Sequence, residues 1–461
     1  MNALVARIAA LPQRLAHGLV EREREVRLVL LAALAGEHSL LIGAPGTAKS
    51  ALARRLHAAF RDARYFERLL TRFSVPEELF GPLSISALEQ DRYERHTAGF
   101  LPEASIAFID EVFKANSAIL NALLTLLNER EFDNGAGRMR CPLISVIGAT
   151  NEVPDDEVAE AFFDRFLLRL TVSPVSADGF AALLACEAER ELAVPEALDA
   201  SDLAALAGAA AKVGLGAEVV GLLAELRSHL AAEGHYVSDR RWVKIAQLLR
   251  VACASEARAT VEVWDLWLLP WCVAAAPERQ QAVELWLETR LGVHAAMSPV
   301  RITRVVEAFE AQLEAERQAN DLDYDESGRL RFSASELAGS IGDAKGGAQA
   351  LRLTHSRKRR YGRRHIEARI GQIDAASERI AACVREIDDY ARSFGMYRRG
   401  SIWMDQALAG RIAANLAASR EALNLLAERI ARAKVGFAGL PRLDEDPGIE
   451  PEPIVTDSLA I

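Results

Sequence analysis

The sequence predicts an α/β core, a parallel sheet flanked by helices, followed by a long all-α region. Three observations carry that expectation. Short apolar runs recur at Leu40–Ile42, Ser105–Ile109, Leu143–Ile147 and Leu167–Val172, each the length of a strand buried on both faces. Amphipathic stretches separate them. From about Ser173 the strand signal stops, and Ala, Leu, Glu and Arg dominate. The boundaries read as 1–175 for the α/β core, 176–297 for an all-α lid and 298–440 for a C-terminal helical domain interrupted at 319–365. Residues 441–461 read as an acidic, proline-rich tail, expected to be disordered.

Composition narrows the function classes. Of 461 residues half are hydrophobic and about a quarter charged, which leaves ample core for a globular chain. A net charge of -10 argues against a nucleic-acid coat. Five cysteines, at 141, 186, 253, 272 and 383, show no metal-like spacing and read as free thiols in a reducing cytoplasm. The first apolar run is broken by Arg7 and Pro12, unlike a signal peptide. No apolar stretch approaches the ~18 residues that span a bilayer, so no membrane insertion is expected.

The charged run Glu21–Glu25 leads into a helix to about residue 35, and Gly18-Leu19-Val20 would lie near a nucleotide base. The densest chemistry follows at 38–50. The apolar run ends in Gly43-Ala44-Pro45-Gly46-Thr47-Ala48-Lys49-Ser50, and Ala51 continues as an amphipathic helix. Strand, glycine loop, Lys-Ser and helix cradle phosphates, because loop N–H groups and the helix N-terminus both favour negative charge. Lys49 would reach the β and γ phosphates, and the Ser50 hydroxyl would ligate Mg²⁺. Ala48 stands where glycine is usual, and its Cβ restricts the turn unless its φ is negative.

Tyr65–Leu70 reads as a second strand, and Pro76–Pro82 as a loop with a helical turn. The run at 105–109 delivers Asp110 and Glu111 at a strand's carboxyl end, beside the ligand crevice of an open sheet. Asp110 would hold Mg²⁺, and Glu111 would polarise the attacking water. Paired acids also occur at a plain helix start. A helix is expected over 114–128, then a hairpin over 131–141 around Asn134-Gly135. The next strand ends in Thr150-Asn151, whose amide could meet a γ-phosphate or cap the next helix. Residues 156–166 read as a helix ending in Asp164-Arg165-Phe166.

In the helical half, Ser238 or Asp239 caps a helix from Arg240 to Cys253. Trp264, Trp267 and Trp271 share one helical face and read as core. An amphipathic helix carries Ile302 to Leu313. Apolar residues from Ile366 to Phe394 keep heptad spacing and find a partner seam from Leu408 to Ile430. A turn at Gly395–Ser401 makes an antiparallel hairpin. The basic run Arg357–Arg364 fits either a solvated linker or a dock for an acidic partner or nucleic acid.

Taken in order, these motifs resemble the MoxR branch of the AAA+ ATPases, and within it the regulatory ATPase variant subfamily, RavA. The resemblance rests on Gly43–Ser50, Phe80–Leu83, Gly99–Leu101, Phe108–Glu111, Leu126–Arg130, Ala149–Glu152, Asp164–Phe166 and Ser238–Trp242. It implies an ATPase whose ATP and Mg²⁺ lie between the subunits of a homo-hexamer. It casts Asn151 as the γ-phosphate sensor and Arg165 as an arginine finger, a role worth ~10³–10⁵ in rate. Arg240, or alternatively Arg241, becomes a second sensor. The hairpin 131–141 and segment 84–96 resemble inserts that face a central pore. It further implies chaperone-like remodelling with a von Willebrand factor A (VWA) domain protein. The subfamily's β-rich domain, which binds a lysine decarboxylase, is not expected here because 319–365 lacks strand patterning. A nucleic-acid motor or loader is the alternative.

Overall fold

The computed structural model describes residues 2–135, 137–151, 162–185, 194–274, 276–292, 299–322, 356–445 and 448–455. It divides into two compact units. One comprises Met1–Leu291 with Met396–Gly410, the other Gly292–Gly395 with Arg411–Ile461.

The first unit opens with α1 (Asn2–Ala16) and α2 (Glu23–Leu34), whose inner faces are buried. Five strands form an all-parallel sheet: β1 (His38–Ile42), β2 (Tyr65–Leu69), β3 (Ile106–Asp110), β6 (Ser145–Thr150) and β7 (Phe166–Thr171). Their order is β2-β3-β6-β1-β7. Every residue of β1 and β6 is buried, as the unbroken apolar runs require. Helix α3 (Lys49–Ala58) leaves the loop after β1. Helix α4 starts at Ser117 rather than 114 and runs to Glu129. Ala115 is extended, and the Asn116 carboxamide caps the helix from Ile119 N at 3.0 Å.

The Asn-Gly turn joins β4 (Glu131–Asn134) to antiparallel β5 (Gly137–Arg140). That hairpin packs on segment 84–96: Asn134 accepts from Arg95 N at 2.7 Å and donates to Arg95 O at 3.1 Å. Gly135 has φ +70°, and a Cβ there would sit 2.0 Å from Tyr93 O. The two expected inserts are therefore one structural feature.

Ser238 caps α5 (Asp239–Ser255). The three tryptophans are core, at 1–4% exposure, but on no single α-helix. A 3₁₀ segment, Val263–Leu268, hands over to a short helix whose second residue is Pro270, which has no N–H to continue the first.

In the second unit, α6 (Pro299–Gln318), α7 (Arg363–Gly400) and α8 (Gln406–Ala438) share one core that includes Ile302, Phe309, Ile373, Ile380, Leu423 and Ile430. Helix α7 continues through Gly395, so the turn falls at 401–405. Residues 323–355 lie outside the described residues, but their flanks, Asn320–Leu322 and Ser356–Lys358, pair antiparallel, where no strand was expected. The tail also differs from expectation over its described residues. Leu443 N bonds to Tyr361 O at 3.0 Å, Arg369 to Glu452 O at 2.7 Å, and Ile454 packs on the helical core. Backbone pairing and one apolar anchor hold a segment whose composition reads as solvated. Among the described residues no helix is long and apolar enough to cross a membrane.

Candidate functional site

Register places the site. Ile42 pairs with Thr150 on one side and Thr171 on the other, while Gly148 pairs with Ile109. The loop after β1, Asp110 at the end of β3 and Asn151 after β6 therefore meet at one edge of the sheet. Gly43 N bonds to Thr150 O at 3.0 Å, and a Cβ on Gly43 would stand 2.3 Å from Val172 O, so only glycine fits.

Within the loop, Gly46 has φ +81° and Ala48 has φ +67°. The negative φ that would relax Ala48 is not adopted. It occupies the left-handed region, a strained state for an L-residue, directly before Lys49. Lys49 Nζ donates to Gly43 O at 2.6 Å and Ala44 O at 3.0 Å, and lies 3.4 Å from Asn151 Oδ1. Burial pulls its pKa below the ordinary lysine value, opposed by Asp110 and Glu111.

Glu111 also has positive φ, at +52°. Its Oε1 accepts from Asn151 Nδ2 at 2.6 Å, and its Oε2 lies 3.3 Å from Lys114 Nζ. Asp110 Oδ1 accepts from Glu111 N at 3.0 Å. Asn151 thus touches both the loop lysine and Glu111, beyond an ordinary helix cap. The donor set of Ser50, Asp110 and loop N–H groups is hard oxygen plus anion-binding backbone, which fits Mg²⁺ with phosphates. The glycine cradle leaves room for close backbone approach.

Arg22 is a site residue that sequence reasoning missed. It is 4% exposed, and it donates to Thr47 O at 3.3 Å, Glu21 O at 2.6 Å and Ser173 O at 2.6 Å. It ties the phosphate loop to the chain leaving β7. The alternating charges of its run looked like a solvated face, and nothing in the pattern marks one arginine as buried.

The remaining candidates sit elsewhere. Phe166 pairs with His38, so Asp164 and Arg165 lie at the opposite edge of the sheet, about 13 Å along β1 at the usual strand rise. Arg240 and Arg241 lie there too, because both bind Asp164. Arg240 Nη2 meets Asp164 Oδ2 at 2.7 Å, and its side chain is 45% exposed. Arg241 is 3% exposed and uses all five N–H donors: on Asp164 Oδ1 (3.1 Å), Leu167 O (3.0 Å), Cys272 O (2.9 Å), Asp164 O (3.3 Å) and Phe166 O (2.8 Å). No donor remains for a nucleotide. Arg241 is a clamp between α5 and β7. Glu152 and residues 152–161 lie outside the described residues.

Residues 6–207 match the family described as "MoxR domain in the MoxR-vWA-beta-propeller ternary systems", and residues 218–287 match an AAA lid domain. Two uncharacterised proteins of Methanocaldococcus jannaschii are similar. One is 38% identical over 58% of this chain and 70% of its own length. The other is 40% identical over 54% and 66%. Protein MoxR of Paracoccus denitrificans is 29% identical over 36% of this chain and 49% of that protein. A solved structure from Cytophaga hutchinsonii, described provisionally as an ATPase, aligns with TM-score 0.50 at 18% identity, covering 62% of this chain and 93% of that one. That likeness concerns the fold alone.

Proposed function

As the chain belongs to the MoxR family of AAA+ ATPases, we propose that it hydrolyses ATP within a ring of its own copies and uses the turnover to remodel a protein partner. The observation that carries this reading is the division of the candidate residues between two edges of one sheet. Lys49, Ser50, Asp110, Glu111 and Asn151 gather at the carboxyl edge, while Arg165 and Arg240 gather at the amino edge. An arginine finger at the far edge serves only a neighbour's nucleotide, which makes the competent site composite. A hexamer is the ring we favour. Since Arg240 lies at the same edge as Arg165, the second sensor also acts across the interface.

At the carboxyl edge the loop N–H groups and Lys49 bind and orient the triphosphate. Ser50 and Asp110 would hold Mg²⁺, which when bound screens charge on the phosphate oxygens. Asn151 and Lys114 hold the Glu111 carboxylate between them, one on each oxygen, which fixes its position and leaves a lone pair free to take a proton from water.

A VWA-domain protein is the partner we favour, supported by the systems for which the matching family is described. The RavA subfamily is a finer reading, supported by α6 to α8 and their interruption at 319–365. The free, buried thiols of Cys141, Cys253, Cys272 and Cys383 suit a cytoplasmic setting. Glu111→Gln is expected to bind ATP with ordinary affinity and lose at least ~10²-fold in turnover. Equal turnover in that variant and the parent chain would refute the catalytic assignment.

A further inference from the structure

At the amino edge of the sheet four arginines crowd one carboxylate. Asp164 Oδ2 meets Arg240 Nη2 at 2.7 Å and faces Arg165 Nη1 at 3.9 Å. Its Oδ1 meets Arg241 Nε at 3.1 Å and faces Arg169 Nη2 at 3.8 Å. Among the described residues Asp164 is the one carboxylate that ion-pairs with any of the four. Among the described residues the cluster therefore sets four cations against one ion-paired carboxylate in a half-buried setting, where screening is weak.

The four guanidiniums differ in freedom. Arg241 is saturated and Arg169 is 7% exposed, seated over the Phe163 ring at 4.0 Å. The Nε atoms of Arg165 and Arg169 are buried with no hydrogen-bond partner. Arg240 is half exposed, with one ion pair. Two arginines are thus fixed to the core, Arg240 is half exposed, and Arg165, its side chain 16% exposed, lies beside the same carboxylate. Burial pushes the Asp164 carboxyl upward, but Arg241 and the hydrogen bonds from Arg240 and Arg241 outweigh it and hold it below the ordinary aspartate value. It stays an anion at neutral pH.

We infer that Asp164 is a positioning residue that gathers Arg165 and Arg240 into a single cationic edge, shaped to meet the terminal phosphates of a nucleoside triphosphate bound by a second copy of this chain. The inference rests on the composite-site reading above. Without the carboxylate, the four like charges repel and Arg165 and Arg240 lose the anion they share. An incoming phosphate would add negative charge at this edge, beside Arg165 and Arg240.

The test is Asp164→Asn in the full chain, with kcat and KM for ATP measured at assembling concentrations. The expected result is a drop in kcat of about tenfold or more, with KM within about twofold, since the loop at the other edge is untouched. Mixing this variant with Glu111→Gln chains is the decisive arm. The intact amino edge of a Glu111→Gln copy serves the intact carboxyl edge of an Asp164→Asn copy, so the mixture should exceed the summed activities of its parts. A raised KM with unchanged kcat, or a mixture no better than its parts, would overturn the inference. Should Asp164→Asn fail to fold, Arg240→Gln replaces it in the same mixture, with the same two readings. Failure of the broader reading looks different: Arg165→Ala and Glu111→Gln would then both turn over ATP like the parent chain.

Discussion

Arg24 Nε grips Asp405 Oδ2 at 2.6 Å across 381 residues of sequence, which fastens the turn between α7 and α8 to the start of α2. Arg27 adds a bond to Met404 O at 3.0 Å. Beside them, Trp403 Nε1 donates to Ser255 Oγ at 2.7 Å and Tyr397 OH to Asp265 Oδ1 at 2.8 Å. The run Glu21–Arg27 therefore divides its work. Arg22 holds the phosphate loop, Glu21 accepts from Ser176 N at 2.8 Å after β7, and Arg24 and Arg27 hold the turn. One short stretch links the nucleotide loop, the chain after β7 and the turn at 401–405.

Asp405 also caps α8, accepting from Leu408 N at 2.9 Å. Asp405→Ala should thus cost about 0.5–2 kcal/mol for the cap, and more for stranding Arg24. The thermal midpoint is expected to fall by several degrees, with KM for ATP little changed. An unchanged midpoint would show that the turn is not fastened here.

The same residue gives a pH dependence. Burial raises the Asp405 carboxyl, but the Arg24 hydrogen bond and the Leu408 N–H outweigh it, and the folded pKa lies below the ordinary value. The unfolded chain then binds more protons between the folded pKa and the model-peptide value of about 3.9. The stabilisation is complete above the unfolded value and is lost as pH falls through the folded one. Urea midpoints between roughly pH 3 and 6 should therefore drop more steeply on acidification in the parent chain than in Asp405→Asn. Parallel curves would remove Asp405 from the acid response.

Ala48 makes an opposite prediction. Its left-handed backbone costs roughly 1–2 kcal/mol for a residue with a Cβ, while glycine restores about 0.4–1 kcal/mol of chain entropy to the unfolded state. Ala48→Gly should leave stability unchanged or raise it by up to about 1.6 kcal/mol, with ATP affinity preserved. Ala48→Val, β-branched at φ +67°, should impair folding or nucleotide binding. Calorimetry and nucleotide titration read both. A marked loss of stability in the glycine variant would mean the alanine methyl is needed for packing.

How much of this was legible in the sequence follows from which forces act locally. The loop at 43–50, the acids at 110–111 and the Asn-Gly turn are local signals, in which spacing alone dictates geometry. The tryptophans read correctly as core, yet Pro270 broke the helix they were assigned to. Arg22 and the clamping contacts of Arg241 escaped because most of their partners are backbone carbonyls brought near by the fold, and no side-chain pattern records a carbonyl. The tail misled for a related reason: its composition is that of a solvated segment, and backbone pairing with Tyr361 overrides it. Arg240 and Arg241 are adjacent and chemically alike, so only burial separates them.

That separation is itself testable. Removing Arg241 leaves Leu167 O, Phe166 O and Cys272 O without their buried donor and strips Asp164 of one of its closest cations. Breaking a buried ionic contact of this kind costs about 3–5 kcal/mol. Arg241→Ala should thus lower the thermal midpoint by roughly 6–20 °C, taking ~2–4 °C per kcal/mol for a large domain. Arg240→Ala removes one half-exposed contact and should shift the midpoint by no more than a degree or two, while turnover at assembling concentrations falls about tenfold or more. If the two variants exchange these phenotypes, with Arg240 carrying stability and Arg241 carrying turnover, the buried arginine is the nucleotide contact and the clamp assignment is wrong.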